Sequence, residues 1–162
     1  PTARATAALA RAFGPRATAH NHRPPRYLPS AIEMVGLDEL FAQSDVLSLH
    51  CPLTENNHHL VNADRLRQMK PSALLINTAR GGLVEESALL GALQSGQLAG
   101  AGLDVFASEP LAAGHALLAL DNVIAAPHVA WLTRETLERS LAFAVENIRR
   151  LESGESLRNR VV

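Results

Sequence analysis

The sequence has few of the features that mark disulfide-bonded, secreted or membrane proteins. Cys51 is the one cysteine among 162 residues, which excludes an intrachain disulfide framework and is consistent with a reducing compartment. No apolar run approaches the roughly 20 residues that span a bilayer, and the alanine-rich start, with Arg4 and Arg11, does not resemble a secretory signal. We therefore expect a cytoplasmic protein with no membrane partner.

Excess charge and aromatic residues are also scarce. The formal net charge is −1, which argues against a nucleic-acid partner. Aromatic residues make up 4% of the chain, and just two of them, Phe13 and Tyr27, lie in the arginine-bearing stretch before the first acidic residue, so no surface for stacking bases is expected. With 47% hydrophobic and 19% charged residues, the composition is typical of a globular domain with a real core.

Short apolar runs alternate with helical patterns along the chain. Helices are predicted at residues 2–12, 37–44, 63–70, 85–96 and 133–153, and strands at residues 16–20, 32–35, 45–50, 73–77, 100–105 and 122–126. Asn62 and Thr133 are predicted N-caps, and Gly14, Gly96 and Gly154 are predicted helix stops. The alternation predicts an α/β fold with a doubly wound, Rossmann-like parallel sheet covered on both faces.

Two of these strands carry a further expectation about burial. The run "ALLIN" at 73–77 is nearly continuous in apolar residues, which is typical of a strand buried on both faces of a parallel sheet. The run "NVIAA" at 122–126 is likewise predicted to be a buried strand.

Three predicted strands are followed by side chains that could perform chemistry, namely Arg80, Glu109 and His128. Because the carboxyl ends of parallel strands lie at one edge of a sheet, we expect these side chains to converge. A guanidinium can bind a carboxylate through two hydrogen bonds, an imidazole can transfer a proton near neutral pH, and a neighbouring carboxylate fixes the tautomer of that imidazole. The set suits reduction of a 2-oxo acid, and Gly81 and Gly82 would let backbone approach a ligand closely.

Each of these residues has a simpler interpretation when it is taken alone. A lone histidine after a strand is most often a helix cap or a solvated loop residue. Cys51 has no paired base, so packing is a better explanation than nucleophilic catalysis. No metal site is predicted, because the histidine pairs at 20/22 and 58/59 lack a cysteine or carboxylate at metal-site spacing.

Four segments carry a family resemblance: "LSLHCPLT", "LLINTARGGLVEE", "GAGLDVFASEP" and "NVIAAPHVAWLT", spread over residues 47–133. In order and spacing they resemble the D-isomer-specific 2-hydroxyacid dehydrogenase family. The resemblance implies hydride transfer between a nicotinamide cofactor and a small 2-oxo or 2-hydroxy acid. It implies that Arg80 binds substrate and that Glu109 pairs with His128, the acid/base. The "PHVAW" variant is most similar to the hydroxypyruvate and glyoxylate reductase branch, and the family implies a homodimer.

The resemblance also implies which residues line the cofactor. Those beside its nicotinamide half are Cys51, Pro52, Thr78, Ala79, Asp104 and Ala130, with Asp104 near the carboxamide. Arg80 and His128 are also expected to bind the cofactor. Aligning "ALARAFG" with the first helix of the dinucleotide fold makes Ala3 the third position of the G-x-G-x-x-G/A turn.

That alignment leads to an expectation about domains. We expect residues 1–133 to be a partial dinucleotide-binding domain whose first strand and G-x-G turn lie outside this sequence. We expect residues 134–162 to be a helix and tail that lead back to a missing substrate domain. The chain by itself is then expected to be inactive.

The loop "AHNHRPPR" at 19–26 bears on the choice of cofactor. NAD-specific folds place an acid at the end of the second strand, and here that position is Asn21, with Arg23 two residues later. Loss of the acid and gain of a guanidinium favour NADP. The loop resembles the "HNR" loop of NADP-preferring glyoxylate reductases, except that His22 replaces the adjacent arginine. A basic, solvated loop that discriminates little is the alternative.

Two functions of other classes also remain open. The chain could be a corepressor-like module that uses a cofactor-bound domain to bind proteins, or an inactive remnant. Retention of Arg80, Glu109 and His128 together favours the enzyme, because a protein-binding scaffold does not need that trio.

Overall fold

The structure is a computed structural model that describes residues 2–22 and 32–160. It divides into two compact units, Pro1–Pro127 and His128–Val162. In the described residues, the first unit contains six strands and four α-helices, and the second contains one long helix. The order of strands and helices along the chain is the predicted one.

The helices of the first unit are α1 (Thr2–Arg11), α2 (Leu37–Gln43), α3 (Ala63–Gln68) and α4 (Glu86–Gln94). Its strands are β1 (Ala17–Ala19), β2 (Ile32–Met34), β3 (Val46–Leu49), β4 (Leu74–Asn77), β5 (Gly100–Leu103) and β6 (Val123–Ala125). β1 pairs with β2, and the other four strands form a sheet in the order β3-β4-β5-β6. Every pairing among these strands is parallel, which confirms the Rossmann-like α/β fold class.

Several helix ends form where local sequence signals predict them. The Asn62 side chain caps α3 by accepting a hydrogen bond from the Arg65 amide at 3.1 Å. Gly14 and Gly96 have φ angles of +91° and +73°, a left-handed conformation that glycine adopts without steric cost. These signals act within a few residues of the chain, so they are readable without knowledge of the tertiary structure.

One face of the four-stranded sheet carries the hydrophobic core. The strands contribute Leu47, Leu49, Leu75, Ala101 and Leu103, which point to the same side because alternate strand residues share a face. Phe41 of α2, Leu66 of α3 and Leu89 of α4 are buried in the same cluster. Leu37 and Leu40 of α2 also pack against this cluster, so this helix presents an apolar face to the core.

The opposite face of this sheet corrects two expectations. In the described part of the chain Leu74 is 41% exposed, whereas its neighbour Leu75 is 0% exposed, so β4 is not buried on both faces. Ile124 is 79% exposed, and β6 is therefore not a buried strand. The physical reason is that, among the strands that the structure describes, β6 is an edge strand that pairs with β5 alone, and that α2, α3 and α4 pack against the other face.

The second unit consists of α5 (Arg134–Glu152) and the segments around it. Thr133 caps α5 as predicted, by accepting a hydrogen bond from the Thr136 amide at 3.1 Å. Gly154, with φ +73°, follows the last turn. The tail returns along the helix, because the Arg158 amide donates to the Asn147 side chain at 2.9 Å.

No helix in the described part of the chain is both long enough and apolar enough to cross a membrane.

Candidate active site

The carboxyl ends of the four parallel strands form one row. Leu49 of β3 lies beside Asn77 of β4, which lies beside Leu103 of β5, which in turn lies beside Ala125 of β6. Residues that immediately follow these four positions therefore leave the sheet at the same edge. In open parallel sheets this edge is where ligands bind.

The exit of β4 carries the "TARGG" loop, residues 78–82, and is held by a buried polar side chain. Asn77 is 1% exposed, and its Oδ1 accepts a hydrogen bond from the Ala79 amide at 3.1 Å. Its Nδ2 donates to the Arg80 carbonyl oxygen at 2.9 Å. Arg80 is exposed, and its Nη1 donates to the Ala79 carbonyl oxygen at 2.6 Å. The bonds of Asn77 thus fix the loop backbone. The bond from Arg80 Nη1 uses one of the five N–H donors of the guanidinium.

Gly81 is required by packing within the protein. A Cβ on Gly81 would lie 2.0 Å from the carbonyl carbon and oxygen of Phe106 and 2.5 Å from the Ala107 nitrogen. A Cβ on Gly82 would lie 2.9 Å from the Leu53 side chain. These glycines thus leave room for neighbouring protein atoms, and the β4 exit loop lies directly against the β5 exit loop. Close approach of a ligand to this backbone stays a prediction.

The exit of β5 contains two acidic residues from the predicted site. Asp104 is buried at the strand end, and its amide donates to the Asn77 carbonyl oxygen at 2.9 Å. Glu109 is exposed, and its Oε1 accepts a hydrogen bond from the Phe106 amide at 3.0 Å. Glu86, at the start of α4, accepts from the Ala107 amide at 2.7 Å and so fastens the same loop to the helix.

The backbone that follows β3 is held by the side chain of Asn57. The Asn57 side chain donates to the Pro52 carbonyl oxygen at 2.8 Å and accepts from the Thr54 amide at 2.6 Å. Its Nδ2 also lies 3.9 Å from the Sγ of half-buried Cys51. Burial raises the pKa of the Cys51 thiol and lowers the pKa of His50, since burial disfavours the charged form of each group. Cys51 is therefore a protonated thiol at neutral pH.

The exit of β6 leads into the second unit, which begins at His128. His128 has φ +58°, a left-handed conformation that is uncommon for residues other than glycine. The Trp131 indole donates to the His128 carbonyl oxygen at 2.9 Å, and this bond holds the turn that also contains Ala130. The predicted trio is thus divided between the units, with Arg80 and Glu109 in the first. Its convergence stays a prediction.

The remaining candidate positions lie near the start of the chain. Ala3 is exposed in the first turn of α1, and Asn21 is exposed two residues beyond β1. His20 precedes Asn21, with its Nδ1 3.1 Å from the Val35 carbonyl oxygen. Arg23 lies outside the described residues, so its part in the cofactor prediction has no structural counterpart here. Within residues 2–22 and 32–160, no group of three or more His, Cys, Asp or Glu side chains could hold a metal ion.

Three functional candidates are absent from the sequence-based set: Asn57, Asn77 and Glu86. Each fixes the backbone of an exit loop through its side chain. A signal for Asn77 exists in the sequence, because an amide at the end of an apolar strand must find hydrogen-bond partners if it is buried. Asn57 and Glu86 lie in polar stretches, and nothing local distinguishes them from solvated residues.

The donor set at this edge fits a nicotinamide cofactor. Pro52 and Thr78 are exposed there, Cys51 and Ala79 are half-buried, and Asp104 is buried beside them in the row of strand ends. These are small or apolar groups with one acidic side chain, which suits a flat aromatic ring that carries a carboxamide. Cys51, Pro52, Thr78, Ala79 and Asp104 would hold that half of the cofactor.

The chain is similar to a known family over most of its length. The model of the "D-isomer specific 2-hydroxyacid dehydrogenase, NAD binding domain" family matches residues 2–130. A glyoxylate reductase of Thermofilum pendens is 48% identical over 124 residues, which cover 76% of this chain and 37% of that protein. A glyoxylate/hydroxypyruvate reductase B of Cronobacter sakazakii is 45% identical over 125 residues, which cover 77% of this chain and 39% of that protein. The chain thus spans well under half the length of these curated relatives.

Two solved structures illustrate the likeness of fold. The TT0316 protein of Thermus thermophilus is 46% identical with a TM-score of 0.91, covering 98% of this chain and 50% of that one. A D-isomer specific 2-hydroxyacid dehydrogenase of Xanthobacter autotrophicus Py2, in complex with NADPH and MES, is 37% identical with a TM-score of 0.82, covering 98% of this chain and 65% of that one.

Proposed function

Because the chain belongs to the D-isomer specific 2-hydroxyacid dehydrogenase family, we propose that it supplies the cofactor-binding half of an oxidoreductase. The proposed substrate is a small 2-oxo acid of the glyoxylate or hydroxypyruvate kind, as the names of its relatives suggest. The observation that carries the proposal is the contact between the β4 and β5 exit loops at Gly81 and Phe106, because it joins the segments that bear Arg80 and Glu109.

The proposed chemistry assigns one role to each member of the trio. Arg80 binds the substrate carboxylate through paired hydrogen bonds and orients the adjacent carbonyl group. A nicotinamide cofactor, when bound, supplies the hydride that adds to the carbonyl carbon. His128 donates a proton to the carbonyl oxygen, so that the 2-oxo acid leaves as a 2-hydroxy acid, and Glu109 orients the imidazole.

Kinetics of the complete gene product test these roles. His128→Gln is expected to lower kcat by about 100-fold to 10,000-fold with cofactor and glyoxylate still bound, since only proton transfer is removed. Arg80→Ala is expected to raise KM as well as lower kcat, because both binding and orientation depend on the guanidinium. Arg67→Ala is the matched control, since Arg67 is exposed on α3 and pairs with Asp64.

Full turnover in His128→Gln would contradict the mechanism. A wild-type protein that binds cofactor without reducing any 2-oxo acid would instead favour the corepressor-like module.

We also propose that the cofactor is NADP in preference to NAD. A neutral amide at Asn21 does not repel a ribose 2′-phosphate, and Arg23 adds a guanidinium that can bind it. The ratio of kcat/KM for NADPH and NADH is expected to exceed one, to fall in Arg23→Ala, and to fall further in Asn21→Asp. A wild-type preference for NADH, or an unchanged ratio in Arg23→Ala, would overturn this proposal.

Finally, we propose that the complete gene product is a cytoplasmic homodimer. Apolar helix surface supports the dimer, since Leu141, Ile148 and Leu151 of α5 are exposed in the described structure. The single half-buried thiol suits a reducing compartment. Sedimentation of a monomer at micromolar concentration would contradict the dimer, and recovery of the protein outside the cytoplasmic fraction would contradict the location.

A further inference from the structure

Asn77 is a buried polar residue that serves no strand pairing with its side chain. It ends β4, and its amide group reaches forward along the chain instead of across the sheet. The Oδ1 atom takes the Ala79 N–H, and the Nδ2 atom gives a hydrogen to the Arg80 carbonyl oxygen. One planar group therefore holds both ends of the Ala79–Arg80 dipeptide.

Only a short side chain with both a donor and an acceptor can make this pair of bonds. Leucine has nearly the same shape but offers neither bond, and an ionised aspartate offers acceptors alone. Glutamine has the right groups on a side chain that is one methylene too long. An asparagine at this position is thus specified by the loop that follows it.

The same dipeptide is held from its other side by Arg80 itself, whose Nη1 donates to the Ala79 carbonyl oxygen. Its neighbour Gly81 lies against the backbone of Phe106 and Ala107. The conformation of the Arg80 backbone is therefore set by Asn77 on one side and by loop packing on the other. The direction in which the guanidinium leaves the backbone follows from that conformation.

We propose that Asn77 is a positioning residue for the carboxylate site, and that it acts by fixing the backbone from which Arg80 extends. The inference rests on the proposed function of Arg80 and adds a residue that does not touch substrate. Loss of either hydrogen bond lets the dipeptide rotate, and displacement of a binding group by about 1 Å lowers kcat/KM on the order of 100-fold.

The first experiment uses Asn77→Asp in the complete gene product, with glyoxylate as substrate. At high pH the introduced carboxylate repels the Arg80 carbonyl oxygen, and kcat/KM is expected to fall about 100-fold. At lower pH the carboxyl takes up a proton and regains a donor, so the ratio of variant to wild-type kcat/KM is expected to rise. The ratio is taken at each pH, so pH dependence that is common to both proteins does not enter it.

Asn122→Asp is the matched control. Asn122 also donates through its side chain to backbone carbonyl groups, those of Leu93 at 3.4 Å and Ala99 at 3.2 Å, but it precedes β6 and so lies at the opposite edge of the sheet. Its substitution is expected to lower the unfolding temperature without changing kcat/KM. A pH-independent ratio in Asn77→Asp, or an equal loss in Asn122→Asp, would overturn the proposal.

A double-mutant cycle separates positioning of Arg80 from a general structural role. If Asn77 acts through Arg80, then Asn77→Asp has no further effect on kcat/KM in the Arg80→Ala background. Additive losses would show that Asn77 acts elsewhere.

A wild-type protein that reduces no 2-oxo acid would contradict the proposed function, and a second measurement then decides the role of Asn77. Amide exchange and 15N relaxation of Ala79 and Arg80, together with the Arg80 Nε signal, are expected to report faster motion in Asn77→Asp and Asn77→Leu. Unchanged motion in both variants would overturn the inference, whatever the activity.

Discussion

The two faces of the four-stranded sheet differ although the strands that form them are the same. The face of Leu47, Leu75 and Leu103 is covered by α2, α3 and α4, whereas the face of Val46, Leu74 and Ile124 is exposed in the described structure. Adjacent residues of one apolar strand thus have opposite environments. The difference teaches that apolar composition predicts a strand, while its neighbours in space decide which side contributes to stability.

The largest expected contrast lies within β4. Leu75→Ala removes a side chain that is fully buried and is expected to lower the free energy of unfolding by about 2–5 kcal/mol, which includes the cost of the cavity. Leu74→Ala is expected to cost less than about 1 kcal/mol, because much of the Leu74 side chain already contacts solvent. Urea titration followed by circular dichroism measures both values, and equal losses would erase the distinction between the faces.

The next contrast compares a glycine in the packed exit loops with a glycine on the open side of α4, and it tests whether close packing extends into the exit loops. Gly81→Ala places a methyl group against the Phe106 backbone, so the loops must separate, at a cost of about 1–3 kcal/mol or more. Gly91→Ala in α4 is the control, because beyond the adjacent residues and the backbone of the helix itself no atom lies within 4 Å of the position that its methyl group would take, and alanine there is expected to stabilise by about 0.5–1 kcal/mol. The two alanine variants should therefore shift the thermal midpoint in opposite directions.

The reactivity of the Cys51 thiol reports how closely the edge of the sheet is packed. Burial raises the pKa of the thiol, so the thiolate forms only at a higher pH than in a free cysteine. Alkylation by iodoacetamide is expected to be slow at neutral pH and to accelerate as the pH rises. Bound NADP should slow it further if Cys51 lines the cofactor. Alkylation at neutral pH as fast as that of glutathione would show that the edge is open.

The smallest effect is expected on the exposed face. Ile124→Thr changes a side chain that is 79% exposed on the edge strand β6, and the free energy of unfolding should stay within about 0.5 kcal/mol of wild type. Binding of an apolar dye should nevertheless decrease, because the variant removes exposed apolar surface. A loss of stability comparable to that of Leu75→Ala would mean that this face is covered in solution.

Features that depend on nearby residues were predictable from the sequence. The caps at Asn62 and Thr133 and the stop at Gly96 are encoded within one helical turn, and the fold class follows from the alternation of strands and helices. The common edge of the strands follows from their parallel pairing, which places Arg80 and Asp104 there.

Features that depend on distant residues were not predictable in the same way. The exposure of β6 depends on its place in the strand order, which no local signal gives. The requirement for Gly81 depends on the path of residues 106–107, more than twenty positions later. Asn77 was not predicted as a site residue, because its side chain binds backbone groups of the loop and not a ligand.

The contact at Gly81 also bears on how the site could change over evolutionary time. The atoms nearest to Gly81 are main-chain atoms of the β5 exit loop, so the contact does not depend on which side chains occupy Ala107 or Ser108. Those positions are therefore open to substitution without loss of the junction, provided that glycine remains at position 81. A library that randomises these positions and retains Gly81 would explore new substrate preferences on an unchanged backbone. Substitution of the neighbouring residues is thus possible on the condition that position 81 stays glycine.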